Sequence, residues 1–133
     1  MSTPAAQSIR TQSELDPHGK DAHEGGSKLD AGKSLIEQGV FAYFPRALLA
    51  VADVSEHGSI KYVWGGWKSV PGGVNRYANA RGRHILKQYI EGPYDRDSDL
   101  LHKAHEAWNV LAELELMLTE GTPLKNPASE RVE

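Results

Sequence analysis

The chain of 133 residues contains no cysteine. That excludes a disulfide framework, a thiolate nucleophile and cysteine-ligated zinc or iron–sulfur centres, and it fits a reducing compartment. Any metal must be held by His, Asp or Glu. Long hydrophobic runs are missing as well: the longest apolar stretch, Ala47 to Ala52, is far short of the roughly 20 residues that span a bilayer. The N-terminal MSTPAAQSIR lacks the apolar core of a signal peptide. No membrane is expected, and the expected location is the cytoplasm. Charge of one sign is also lacking. With 15 basic and 18 acidic residues and a net charge of −3, no global field draws the chain onto nucleic acid or an anionic lipid surface.

What is present suits one domain. Residues 1–30 are polar and hold Ile9, Leu15 and Leu29 as their large apolar side chains, too few to offset the entropy of ordering, so they read as a flexible arm. Residues 121–133 carry Pro123 and Pro127 among polar residues after Gly121, which reads as a helix stop and a disordered tail. The folded part is expected at 31–120.

Three helices are predicted there. Pro45 opens the first, which runs to about residue 57 and at most to Tyr62, with Ala47, Leu48, Val51, Ala52 and Val54 at helical spacing. The WGGWKSVPGG stretch from Trp64 to Gly73 has loop chemistry, and its two indoles are expected to be packed. The second helix runs from Val74 to Ile90 and stops at Gly92-Pro93. The third begins after Ser98 or Asp99 as cap and ends near Thr119. No segment has a convincing period of two, so the class is all-α, a small bundle of three main helices.

The third helix carries the most information. Leu100, Ala104, Ala107, Leu111, Leu114 and Leu118 form an apolar stripe, and His102, His105, Glu106, Asn109 and Glu113 gather on the opposite side. Trp108, Val110, Ala112, Leu116 and Met117 fill most of the remaining circumference. So much apolar surface exceeds what three short helices cover, which predicts a homo-oligomer with the polar stripe lining a pocket.

Charge is sorted along the chain. Six basic residues lie between Lys61 and Glu91 against one acid, and seven acids lie between Asp95 and Glu120 against two bases. This suits a phosphate held beside a divalent metal, and it equally suits two helices paired by charge. Phosphate would fall to Arg81, Arg83, His84 and Lys87 with Lys61, whose guanidinium and ammonium groups can hold its oxygens. For a divalent cation the candidates are His102, His105 and Glu106 with Asp95, Asp97 and Asp99, and also Asp53-x-x-Glu56 with His57 on the first helix. Several motifs are excluded. Gly32-Lys33-Ser34 ends like a phosphate loop, but serine stands at position 27 where that loop needs glycine. The histidine spacing is not that of an HExxH zincin, and no GxSxG nucleophile elbow occurs.

Taken in order, Asp30-Ala31-Gly32-Lys33, Phe44-Pro45-x-Ala47-Leu48, Gly58-x-x-Lys61-Tyr62, Trp67, Arg83-His84 and Asp95-x-x-Ser98-x-Leu100-x-His102-x-Ala104-His105-x-x-x-Asn109 resemble the bacteriophage and bacterial dATP/dGTP diphosphohydrolase N-terminal-domain family. The resemblance covers about 30–118. It implies a small helical protein that cleaves a purine deoxynucleoside triphosphate between the α and β phosphates, giving the monophosphate and pyrophosphate. It also implies kinship with the all-α MazG-type pyrophosphohydrolases, which are oligomers with magnesium on acidic side chains. Their EExxE and ExxD patterns are not present here, and Asp53-x-x-Glu56 is at best a reduced form.

On this reading the cofactor is Mg²⁺, or Mn²⁺, held by Asp53, Glu56, Asp95 and Glu106. His84, His102, His105 and Asn109 are the expected catalytic groups. Lys61, Arg83 and Lys87 offset charge on the leaving pyrophosphate, and Trp64, Trp67 or Tyr89 stack on the purine. A phage-encoded chain would act in the host cytoplasm on the nucleotide pool. Nucleic acid is not an expected partner, since the basic residues are few and adjoin an acidic helix. Two alternatives stand beside this one: an HD-like metal phosphohydrolase built on His84, His102 and His105, and a non-enzymatic helical module that dimerises.

Overall fold

The computed structural model describes residues 14–130. Three helices dominate: α1 (Pro45–Lys61), α2 (Gly73–Glu91) and α3 (His102–Thr119). A π-helical turn at Glu37–Phe41 precedes α1, and 3₁₀ turns lie at Gly66–Ser69 and Pro127–Glu130. Among the described residues there is no strand, only an isolated bridge between Tyr94 and Leu101. The class is all-α, as expected. α2 and α3 form the principal pair, and α1 packs on α3.

Local chemistry sets the boundaries. Pro45 starts α1, where its missing N–H costs nothing. Gly72 and Gly92 take left-handed φ values of 64° and 89° at the two ends of α2, a conformation that costs glycine little and suits helix ends. Gly73 is needed for a different reason: a β-carbon there would meet Leu116 Cδ1 at 2.7 Å, so glycine lets the start of α2 lie directly against α3.

The third helix starts at His102, later than the Ser98 or Asp99 cap expected from sequence. Residues 93–101 form a closed loop instead. The Asp95 amide donates to the Leu100 carbonyl at 2.8 Å and the His102 amide to the Pro93 carbonyl at 2.9 Å. Asp99 sits at φ 62°, which Asp tolerates better than most residues. The segment preceding the bundle is organised by Asp16. Its carboxylate accepts the amides of His18 and Lys28 at 2.7 and 2.8 Å, and the Ala31 amide donates to the Leu15 carbonyl. The rest of the expected arm, residues 1–13, and residues 131–133 of the tail lie outside the described residues.

The two stripes of α3 fall the opposite way round from an ordinary amphipathic surface helix. His102, His105, Asn109, Ala112 and Leu116, spaced three and four apart, are buried with Ala104. Leu111 and Leu114 are 48% and 47% exposed. The buried apolar core consists of Val54, Ala104, Ala112 and Leu116. The polar face is stable inside because its groups bond across the interface. Arg81 Nε donates to Glu113 Oε2 at 2.8 Å and Trp108 Nε1 to Ser55 Oγ at 2.8 Å. Trp108 and Tyr77 lie edge-to-face at 5.6 Å, as do Trp108 and Trp67. Trp67 is therefore packed as expected, whereas Trp64 is exposed.

Candidate functional site

The histidines of α2 and α3 meet the 93–101 loop in one cluster. His84 on α2 places Nδ1 2.9 Å from Nδ1 of His102, the first residue of α3. The other ring nitrogen of His102, Nε2, lies 3.1 Å from Glu91 Oε1 at the end of α2. With the carboxylate accepting, Nε2 of His102 donates to Glu91 and its Nδ1 lone pair accepts from Nδ1–H of His84. His102 is completely buried. It reaches a ligand in solution only through His84 or through something bound between them.

One helical turn on, the His105 ring stacks on the His84 ring with centroids 4.3 Å apart and planes 5° from parallel. His105 Nε2 is 2.7 Å from Ser98 Oγ and 3.6 Å from Asp95 Oδ2. Asp95 Oδ2 in turn accepts the Ser98 amide at 3.0 Å and the Ser98 hydroxyl at 2.8 Å. This Asx turn fixes a buried carboxylate beside the imidazoles. Ligand atoms of His84, Asp95 and His102 all lie within 4.8 Å of one another.

The protonation states follow from these surroundings. Burial, with His105 next, pushes His84 down to about 4, so its ring is neutral at pH 7. Burial also lowers His105. Burial pushes the Asp95 carboxyl up, but the Ser98 hydroxyl and amide, with His105 and His84, outweigh it and leave the group below the usual carboxylate range.

The residues singled out from the sequence separate into those the fold brings together and those it does not. His84, Asp95, His102 and His105 converge. Asn109 is buried against them, but its Nδ2 donates to the His105 carbonyl at 2.8 Å, so the amide braces α3. Asp53 and Glu56 are exposed on α1. Glu106 accepts from Gln88 and pairs with Lys103 at 3.2 Å. Of the four acids expected to hold metal, Asp95 is the one in the converging group.

Lys61 is exposed and bound to Asp97 Oδ2 at 2.6 Å, which raises the lysine and lowers the carboxyl. Arg83 and Lys87 make no ion pair among the described residues, whereas Arg81 is taken up by Glu113, in line with helices paired by charge. Tyr89 and Trp64 are open for stacking at 87% and 72% exposure.

Sequence reasoning missed Glu91, set His57 beside Asp53 and Glu56 as a cation candidate and read Ser98 as a helix cap. His57 Nε2 is buried without a hydrogen-bond partner, 3.7 Å from Asp97 Oδ2, and its ring is edge-on to His105 at 6.4 Å. The Asp95-x-x-Ser98 spacing was the available signal for the turn. An open groove of about 370 Å³ lined by Gly72, Gly73, Val74, Asn75, Ala78 and Glu120 lies at the other end of α2. Its one ionisable lining residue is Glu120, so the donor set locates the site and the concavity does not.

Fold and cluster together define a small all-α protein with a buried histidine–aspartate centre between two helices and a loop. The family described as dATP/dGTP diphosphohydrolase, N-terminal, matches residues 22–124, and the chain belongs to it. No curated protein and no solved structure matched the chain. Among the described residues no helix is long and apolar enough to cross a membrane.

Proposed function

We propose that the chain hydrolyses a purine deoxynucleoside triphosphate, dGTP or dATP, to the monophosphate and pyrophosphate, with Mg²⁺ or Mn²⁺ accompanying the triphosphate. The observation that carries the reading is the convergence of His84, Asp95, His102 and His105 in a chain of this family. A bound divalent ion supplies charge neutralisation and an activated water.

The chain's own residues do the rest. His105, whose Nε2–H donates to Ser98 Oγ, accepts the proton of the attacking water at Nδ1, and Asp95, 3.6 Å from Nε2, stabilises the resulting imidazolium. The oxygen of that water bonds to phosphorus as the P–O bond between the α and β phosphoryl groups breaks. Lys87, one turn beyond His84 on α2, and Arg83 meet the charge that gathers on the departing pyrophosphate. Trp64 or Tyr89 stacks on the base.

The test is a panel of nucleotides incubated with Mg²⁺ or Mn²⁺ and resolved by chromatography. dGMP or dAMP with pyrophosphate is the expected result. The placing of His84 and His102 on two helices beside Asp95 favours an HD-like phosphohydrolase as the second reading. Deoxynucleoside with triphosphate would establish that reading and remove the first. A non-enzymatic module would turn over nothing, and no nucleotide would raise its Tm.

The exposed face of α3 is read as a contact with a second copy of the chain. Half-buried Ala107 and Leu118 and exposed Leu111 and Leu114 alternate at four and three residues, the spacing of a coiled-coil seam, and exposed Val110 and Met117 border them. Four buried apolar side chains among the described residues make a small core for one domain, so burying this seam supplies what the single chain lacks. Light scattering on the eluting protein should give a multiple of 14.6 kDa, reduced to the monomer in Leu111→Glu/Leu114→Glu. A wild-type monomer at micromolar concentration contradicts the assignment.

A further inference from the structure

We propose that His84, Asp95 and His102 form a resident site for a first-row divalent ion of the zinc class, distinct from the magnesium that travels with a nucleotide. The proposal goes beyond the hydrolase reading and stands without it.

Three observations carry it. First, one buried and one half-buried carboxylate lie here, with side chains 6% (Asp95) and 14% (Glu91) exposed, and among the described residues neither pairs with Lys or Arg. Their ionic neighbours are imidazoles. Buried negative charge of this kind calls for a compensating cation.

Second, Glu91 already orients His102. By accepting a hydrogen bond from Nε2–H at 3.1 Å it turns the Nδ1 lone pair towards His84, the carboxylate–histidine arrangement found behind metal-ligating imidazoles. Two Nδ1 atoms 2.9 Å apart share one proton in a hydrogen bond, and that is the place a divalent ion would take.

Third, the distances fall within reach of coordination. Metal–nitrogen bonds of about 2.0–2.1 Å in a tetrahedral site place ligand atoms about 3.3 Å apart. The histidine pair would open by roughly 0.4 Å, and the farthest pair, within 4.8 Å, would close by up to about 1.5 Å. Half-buried His84 and the loop bearing Asp95 are the parts that can shift.

The donor set selects the ion. Two neutral imidazoles and one carboxylate suit zinc and its first-row neighbours, whereas Mg²⁺ prefers oxygen ligands and keeps its waters. Three protein ligands also leave a position for water or substrate, as in catalytic zinc sites.

The experiment uses the full chain stripped with a chelator and titrated with Co²⁺ in the absence of nucleotide. One equivalent is expected to bind with visible d–d absorption, to be displaced by Zn²⁺ and to be unaffected by millimolar Mg²⁺. His84→Gln and Asp95→Asn should abolish the absorption. Glu91→Gln should weaken binding by about 10- to 100-fold through loss of the orienting contact. His23→Gln, at an exposed histidine, should bind as the wild type does. Circular dichroism of each variant separates loss of the site from loss of the fold. Absence of uptake at millimolar Co²⁺, uptake unchanged in folded His84→Gln and Asp95→Asn, or displacement by Mg²⁺ would overturn the proposal. A chain that binds Co²⁺ as described but hydrolyses no nucleotide refutes the hydrolase reading alone.

Discussion

His102→Ala is expected to lower the turnover of dGTP or dATP by about 10² to 10⁴-fold, the range associated with losing an acid–base or ligand group, while KM changes little. The side chain is completely buried, bonded on one edge to His84 and on the other to Glu91, so it touches no nucleotide and acts through its neighbours. Its removal leaves the half-buried Glu91 carboxylate without its imidazole, at a cost of about 1–3 kcal/mol. The fold should survive that loss, and the circular dichroism of the helices should persist. Steady-state kinetics check the split between kcat and KM, and cobalt absorption should vanish in the same variant. A folded His102→Ala enzyme with more than a tenth of wild-type kcat would show that the buried pair is a structural hydrogen bond only.

The second large effect concerns stability. Trp108→Ala should cost about 3–5 kcal/mol, the usual range for deleting a packed tryptophan side chain, and lower Tm by more than about 10 °C. Trp108 joins all parts of the bundle. Its indole N–H donates to Ser55 on α1, and its ring meets Tyr77 on α2 and Trp67 in the preceding 3₁₀ turn. Tyr77 closes the group by donating its hydroxyl to the Trp67 carbonyl at 2.8 Å. With so few buried aliphatic side chains, this aromatic cluster carries an unusual share of the packing. Trp108→Phe should recover most of the ring contacts but not the bond to Ser55, and should fall between the two. Thermal unfolding followed by circular dichroism reads all three. A Trp108→Ala transition within about 3 °C of the wild type, under 1 kcal/mol, would mean that the cluster contributes little.

Both predictions depend on side chains whose helical positions were legible before their partners were. Pro45, Gly92-Pro93 and Gly121 marked the helix ends because they act on their own backbone, and the structure ends its helices close to them. The order Arg83-His84, Asp95-x-x-Ser98 and His102-x-x-His105-x-x-x-Asn109 was legible as a family pattern, and it contains most of the cluster. Asp53-x-x-Glu56 shows the limit of spacing as an argument. Two carboxylates one turn apart are neighbours on any helix, and here they face outward on α1. Lys61, read as a phosphate ligand, lies against Asp97, a contact between residues 36 positions apart that no local pattern encodes.

The amino-acid sequence by itself determined the helical class, the three segments, the family and the presence of imidazoles and carboxylates in fixed order, because each depends on periodicity or on residues acting on their own backbone. Tertiary structure alone decided which face of α3 is inside. A helix with one polar and one apolar stripe has two candidate interiors, and the choice rests on whether buried polar groups find partners. Glu91, His84, Asp95 and Ser98 supply those partners to His102 and His105, so the polar stripe is turned inward. Leu111 and Leu114 of the other stripe face outward and await another surface.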